Sequence, residues 1–231
     1  MIRIFPWSHF SNLHLDHVST DMLVLAKDNE ASATQVYSCG LNNYGQLGYT
    51  EKDSNGRDIL DKADKLTEIS FFDGMNIKQI AGGEHFSLCL DLTGKNLYGF
   101  GRTCSGQLGN TTTTPAAGSY KVTPVPIYLE YNADGSPKAN PIISEISCGG
   151  SHSFAMTEHG DVYSWGFGVS GALGVGNVGD GDCVLRPQKI DVTRGINLLN
   201  EKEGKGLVSA TVQMVAGGAQ HSAMVATLHP L

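Results

Sequence analysis

Apolar residues along this chain fall into short alternating runs punctuated by glycine, and the runs repeat. The clearest stretch is residues 143–174. Ile143 and Ile146 lead to Gly149-Gly150, after which His152, Phe154 and Met156 alternate with Ser153 and Ala155. A polar turn precedes Val162, Tyr163, Ser164 and Trp165, which run into Gly166. Such alternation on both sides of a glycine-bearing turn predicts a β-hairpin, and its near-continuous apolar runs suit strands buried on both faces. Residues 86–92 with Leu97-Tyr98 follow the same scheme. Residues 21–25 with Val36-Tyr37 form a degenerate copy, and residues 222–225 supply the first strand of a fourth.

The hairpin ends carry the strongest landmarks. The segments YSCGLNNYGQLG, YGFGRTCSGQLG and YSWGFGVSGALG each hold a glycine pair eight positions apart: Gly40 and Gly48, Gly101 and Gly109, Gly166 and Gly174. Gly45, Gly106 and Gly171 lie between them, and Trp165 precedes the last pair. A second pattern, IAGGEHFSLCL, ISCGGSHSFAM and VAGGAQHSAMV, places Gly83, Gly149 and Gly218 three residues before Phe86, His152 and His221. Depending on the landmark, the period is 61 to 69 residues. A fixed long period signals a repeat architecture, and this one is β-rich.

Constant hairpins joined by variable polar connections predict an all-β fold: an incomplete β-propeller of three to four blades, each a four-stranded antiparallel sheet. Residues 1–20 are set apart as an N-terminal segment and residues 21–231 as the partial propeller, in repeats of 21–85, 86–151, 152–220 and a stub of 221–231. A short helix is expected over 196–203, and an extra hairpin over 128–137 with its turn at Asp134-Gly135. Loops at 51–65, 110–117, 128–141 and 176–182 are expected to crown one rim and carry specificity. With three periods and a stub, the ring is expected to be completed by another chain or by further sequence.

Composition narrows the function. The 231 residues include 29 glycines, concentrated at the repeat landmarks as tight turns require. A net charge of −7 and the lack of a basic run disfavour nucleic acid as a partner. No apolar run approaches a membrane span, so membrane insertion is not expected. Five cysteines without a C-x-x-C pair read as reduced thiols, neither a disulfide framework nor a zinc site. The N-terminal MIRIFPWSHF lacks the features of a signal peptide, and the expectation is a cytoplasmic protein, with the nucleus as the alternative.

None of the candidate sites reads as catalytic. His152 and His221 hold equivalent places one repeat apart, which favours packing and a local hydrogen bond over a shared metal. The double glycines lack the spacing of a phosphate loop and precede strands. Asp53, Asn55 and Asp58, like Asp180 and Asp182, lack the spacing of a calcium loop. No nucleophile elbow is present. No catalytic, cofactor-binding or metal residue is assigned, and the glycines named above, with His152, Trp165 and His221, are read as structural repeat positions.

A Gly-x-x-His-Ser strand start combined with a W-G-x(4)-G-x-L-G hairpin end resembles the regulator of chromosome condensation repeat family, over about residues 21–228. The resemblance implies a seven-bladed propeller, of which this chain supplies three periods and a stub. It departs from the pattern at Phe86 and Asp21, where the family has histidine, and at Ala172, where Gln46 and Gln107 stand in the other copies. With only Trp7 and Trp165, the chain does not match the tryptophan cluster of the family's ultraviolet-B photoreceptor branch. The resemblance therefore implies a non-catalytic module for protein partners, with guanine-nucleotide exchange on a small GTPase as the alternative.

Overall fold

A computed structural model describes residues 10–18, 21–28, 34–168, 171–176 and 182–231. The first sheet contains β1 (Phe10–Val18), β2 (Asp21–Asp28) and β3 (Thr34–Gly40). After a small hairpin of β4 (Glu51–Lys52) and β5 (Asp58–Ile59), β6 (Ala63–Glu68) completes it in the order β1-β2-β3-β6. The second sheet is β7 (Ile77–Gly82), β8 (Phe86–Asp91), β9 (Leu97–Arg102) and β10 (Tyr120–Ile127). The third is β11 (Ile143–Cys148), β12 (His152–Thr157), β13 (Val162–Phe167) and β14 (Cys183–Lys189). Helix α1 (Val192–Lys202) then leads to a two-stranded sheet, β15 (Val208–Gly217) and β16 (Ser222–Pro230). All strand pairs are antiparallel. This is an incomplete β-propeller: three four-stranded blades and a two-stranded fourth. Among the described residues no helix is long and apolar enough to cross a membrane.

The first blade starts earlier than the repeats suggest. Strand β1 pairs with β2 from Phe10↔Asp28 to Val18↔Asp21, so residues 10–18 belong to that sheet and are not a separate N-terminal segment. The landmark glycines begin only at Gly40, which is why the repeat pattern leaves this strand out. Sequence repeats and sheets are also offset by one strand. The stretch 86–151, for example, contains β8 to β10 of one sheet and β11 of the next. Each repeat therefore straddles a seam between blades.

Three apolar clusters fill those seams. Leu23, Leu25, Val36, Phe72, Ile77, Ile80 and Phe100 lie between the first and second sheets. Leu88, Leu108, Ile127, Ile146, Ala155 and Trp165 lie between the second and third. Phe154, Met156, Val162, Ile190, Val212 and Val215 meet Met224 and Ala226 between the third and fourth. Because side chains alternate along a strand, Ala155 faces the preceding blade while Phe154 and Met156 face the following one. That arrangement explains why β12 is buried at every position.

Helix α1 begins four residues before the expected start. Asp191 caps it by accepting a hydrogen bond from the Arg194 amide at 2.9 Å. Its polar face docks on β15: the Asn197 side chain accepts from Val208 N and donates to Val208 O, both at 2.9 Å. The expected hairpin over 128–137 is reduced to one bridge, Tyr131↔Pro137, around a turn in which Gly135 N donates to Asn132 O.

Candidate interaction face

Antiparallel order sorts the connections. Links between first and second strands, and between third and fourth strands, lie on one rim; the remaining links lie on the opposite rim. The connections 41–62 and 103–119, with the described residues 171–176 of the connection after β13, share the first rim with the turns at 83–85, 149–151 and 218–221. Residues 128–141 and α1 join one blade to the next on the opposite rim. The four variable loops therefore do not crown a single rim, because a fourth-to-first link must leave from the other end of the sheet. Residues 177–181 of the last loop lie outside the described residues.

Hydrogen bonds across the seams hold the first rim together. Glu84 N donates to Gly150 O at 3.0 Å, and Gly150 N to Gly218 O at 3.2 Å, so successive turns sit side by side. From the second sheet on, a serine at the start of the second strand reaches back to the preceding blade's loop: Ser87 Oγ to Gln46 O, Ser153 Oγ to Gln107 O and Ser222 Oγ to Ala172 O, at 3.1, 3.0 and 2.8 Å. The acceptor is a backbone carbonyl, which is why Ala172 can stand where the other copies have glutamine. The buried Gln46 and Gln107 side chains tighten their own loops, accepting from Tyr44 N and Ser105 N at 2.9 Å. Trp165 is fully buried, and its Nε1 donates to Gln107 O at 2.7 Å.

The repeat positions divide into two kinds. Gly40, Gly45, Gly48, Gly101, Gly106, Gly109, Gly166, Gly171 and Gly174 all have positive φ. The constraint is strictest at Gly101, with φ 102°, where a Cβ would sit 2.5 Å from His85 O and 2.6 Å from Phe86 Cα. Gly83, Gly149 and Gly218 lack a positive φ but are each covered by an aromatic ring three residues on. An added Cβ would meet Phe86, His152 and His221 at 1.9, 2.1 and 2.5 Å. The place thus requires a flat ring over a glycine, which both phenylalanine and histidine supply. His152 adds a contact, Nε2···Ser222 Oγ at 3.0 Å, whereas His221 is exposed. Burial lowers the His152 pKa, a backbone contact with His221 raises it, and the His221 charge lowers it again; the balance is downward. Among the described residues no group of three histidine, cysteine or acidic side chains could hold a metal.

On this frame the rim displays dissimilar side chains at equivalent places. The residue after the positive-φ glycine near the end of each third strand is Leu41 in the first blade, Arg102 in the second and Phe167 in the third. Leu41 and Phe167 are 42% and 41% exposed. Arg102 lies over the Tyr44 ring at 5.2 Å, and the Tyr44 ring packs tilted against His85 at 4.8 Å between centroids. His85 Nδ1 is buried without a hydrogen-bond partner. Phe167 borders a small open groove of about 110 Å³ between the third and fourth sheets, lined also by Glu84, Gly150, His152 and Gln220. The repeat pattern marks the frame, but these side chains break the repeat and are found only once the rim is built.

Comparison with known proteins agrees with this architecture. The model for the regulator of chromosome condensation (RCC1) repeat matches residues 35–90, 96–156 and 159–225. The ultraviolet-B receptor UVR8 of Arabidopsis thaliana is 30% identical over 190 residues, covering 82% of this chain and 34% of that protein. The guanine nucleotide exchange factor SRM1 of Saccharomyces cerevisiae is 31% identical over 182 residues, covering 76% of this chain and 34% of that protein. The crystal structure of Prp20p from Saccharomyces cerevisiae superposes with a TM-score of 0.65 at 23% identity, over 96% of this chain and 44% of that one. The chain spans about a third of the length of these two curated relatives. With three repeat matches on a three-and-a-half-bladed arc, the chain belongs to the regulator of chromosome condensation (RCC1) repeat family.

Proposed function

We propose that this chain is a non-catalytic docking module, and that the rim carrying Leu41, Tyr44, Arg102 and Phe167 receives a protein partner. The observation that carries the reading is the pairing of a constant frame with non-repeating apolar, aromatic and arginine side chains. Aromatic residues and arginine dominate binding energy at protein interfaces, and an exposed leucine beside them adds apolar area to bury. Seam bonds from Ser87, Ser153 and Ser222 fix the loops beforehand, which reduces the ordering entropy lost on binding. The module works in the cytoplasm, or alternatively in the nucleus.

The test is affinity capture with the chain as bait. Leu41→Asp, Arg102→Glu and Phe167→Asp are each expected to lower recovery of the same partner about tenfold or more, as loss of an interface anchor does. A Lys138→Glu change on the opposite rim is expected to leave recovery unchanged. Equal recovery with all four variants would refute the docking face. The second reading, nucleotide exchange on a small GTPase, is favoured by the similarity to SRM1. Release of labelled nucleotide from a panel of small GTPases on adding this chain would establish it, and no acceleration would dismiss it for this arc.

A further inference from the structure

Five cysteines serve no part of the docking proposal, and one of them stands in unusual surroundings. Cys104 occupies the loop after β9, half-buried on the rim. Arg102 Nε donates to its Sγ at 2.9 Å, and Ser105 Oγ lies 3.9 Å away. The Arg102 backbone is anchored by its amide, which donates to His85 O at 2.8 Å, and the guanidinium itself rests over the Tyr44 ring. A fixed cation on a partly exposed sulfur stabilises the thiolate, the nucleophilic form of cysteine. Cys89, by contrast, is fully buried in an apolar seam, and burial alone pushes its thiol far up.

A second thiol lies across the seam. The loop that holds Cys104 packs against the start of β14: a Cβ on Gly106 would meet Val184 O at 3.0 Å and Leu185 Cα at 3.2 Å. Cys183, the first residue of β14, is also half-buried. Burial raises its pKa, with the charges of Asp182 and Cys104 adding to the rise. At Cys104 burial acts upward, but hydrogen bonds from Arg102 and Ser105, the Arg102 charge and the Gly118 amide outweigh it. The two sulfurs are thus unequal: one is stabilised as the attacking anion, the other is kept as a thiol.

We propose that Cys104 and Cys183 form a peroxide-sensitive dithiol linking the second and third blades, with Cys104 the nucleophile, Cys183 the resolving thiol and Arg102 the positioning residue. The oxidant is a hydroperoxide. The Cys104 thiolate attacks the terminal peroxide oxygen; an S–O bond forms, the O–O bond breaks, and hydroxide or alkoxide leaves to give a sulfenic acid. Cys183 sulfur then attacks the Cys104 sulfur. The S–S bond forms as the S–O bond breaks, and the departing hydroxide takes the Cys183 proton as water. Two thiols lose two electrons and the peroxide gains them. A dithiol reductant reverses the link. The site sits on the rim but stands independently of any partner docking there.

The experiment uses the full chain, hydrogen peroxide and peptide mass mapping. Under limiting iodoacetamide at neutral pH, Cys104 is expected to be alkylated at least about tenfold faster than Cys89, reflecting thiolate fraction and access. Arg102→Gln is expected to slow Cys104 alkylation several-fold, and Arg102→Lys to restore part of the rate because it keeps the cation. After peroxide, the Cys104 and Cys183 peptides are expected as one disulfide-linked species. Cys183→Ser is expected to leave Cys104 as a sulfenic acid captured by dimedone. The proposal is overturned if Cys104 alkylates no faster in the wild type than in Arg102→Gln. It is equally overturned if the wild-type chain forms no Cys104–Cys183 link, a reading that does not depend on any variant folding.

Discussion

Gly101 and His152 show how single positions here answer to different physical demands. Gly101 combines a backbone angle that an L side chain rarely adopts with close contact to the His85 carbonyl, whereas Gly56 has φ 76° and open space around its Cα. Gly101→Ala is therefore expected to destabilise the fold by more than about 3 kcal/mol, and Gly56→Ala by about 1 kcal/mol, since only the first adds a clash to the left-handed penalty. Urea unfolding of the two variants checks the order. His152 makes a separate prediction about pH. Its folded pKa lies below the ordinary value of about 6.5, chiefly through burial, so the unfolded chain binds the proton more readily. Its contribution is intact above that ordinary value and is lost as pH falls through it toward the folded pKa. The urea midpoint is expected to drop between pH 7 and pH 5, and His152→Phe, which copies Phe86, is expected to flatten that slope. His85 is lowered too, by burial and the Arg102 charge against the opposing pull of Glu84, and accounts for a smaller remainder.

Strands here are secured by side-chain bonds to the next blade as well as by their own ladders. The Gln79 side chain on β7 donates to Ile146 O and accepts from Ile146 N, both at 2.9 Å, clasping the backbone of β11. Losing both bonds leaves two partly buried backbone groups unpaired, so Gln79→Leu is expected to cost about 2 kcal/mol, read from urea unfolding at neutral pH. At the equivalent place Glu145 faces Val215; burial raises its pKa and the Val215 amide lowers it, with a net rise. Hairpins of this kind were legible in the sequence, because alternation and glycine spacing encode strands and tight turns directly. Strand β1 and the fourth strand of each blade were not: the 120–127 strand, YKVTPVPI, carries two prolines and no landmark, and as an outer strand its pairing is imposed by the blade. The rim escaped notice for a related reason. Repeats announce what stays constant, while Leu41, Arg102 and Phe167 gain meaning only when the fold sets them at one level.

Among the described residues, the outer face of the fourth sheet follows from the same alternation that builds the seams. Met156 on β12 is 7% exposed because the fourth sheet covers it, while Val225, one repeat later on β16, is 50% exposed in the described structure. Met224 and Ala226 point back into the third seam, so Val225 lies on the face directed away from it. Met214 on β15, at the place of Glu145, is 48% exposed, as is Leu228 farther along β16. Unpaired strand edges with exposed apolar side chains invite association. The isolated chain is therefore expected to self-associate as its concentration rises in sedimentation velocity. A Val225→Asp, Leu228→Lys double variant is expected to stay monomeric and to unfold within about 0.5 kcal/mol of the wild type, as exposed substitutions do. Met156→Asp, the same chemistry one blade earlier, is expected to cost more than about 3 kcal/mol because its charge would be buried without a partner. If the double variant associates as readily as the wild type, the contact lies elsewhere on the molecule, and if both changes destabilise equally, Val225 is covered in solution.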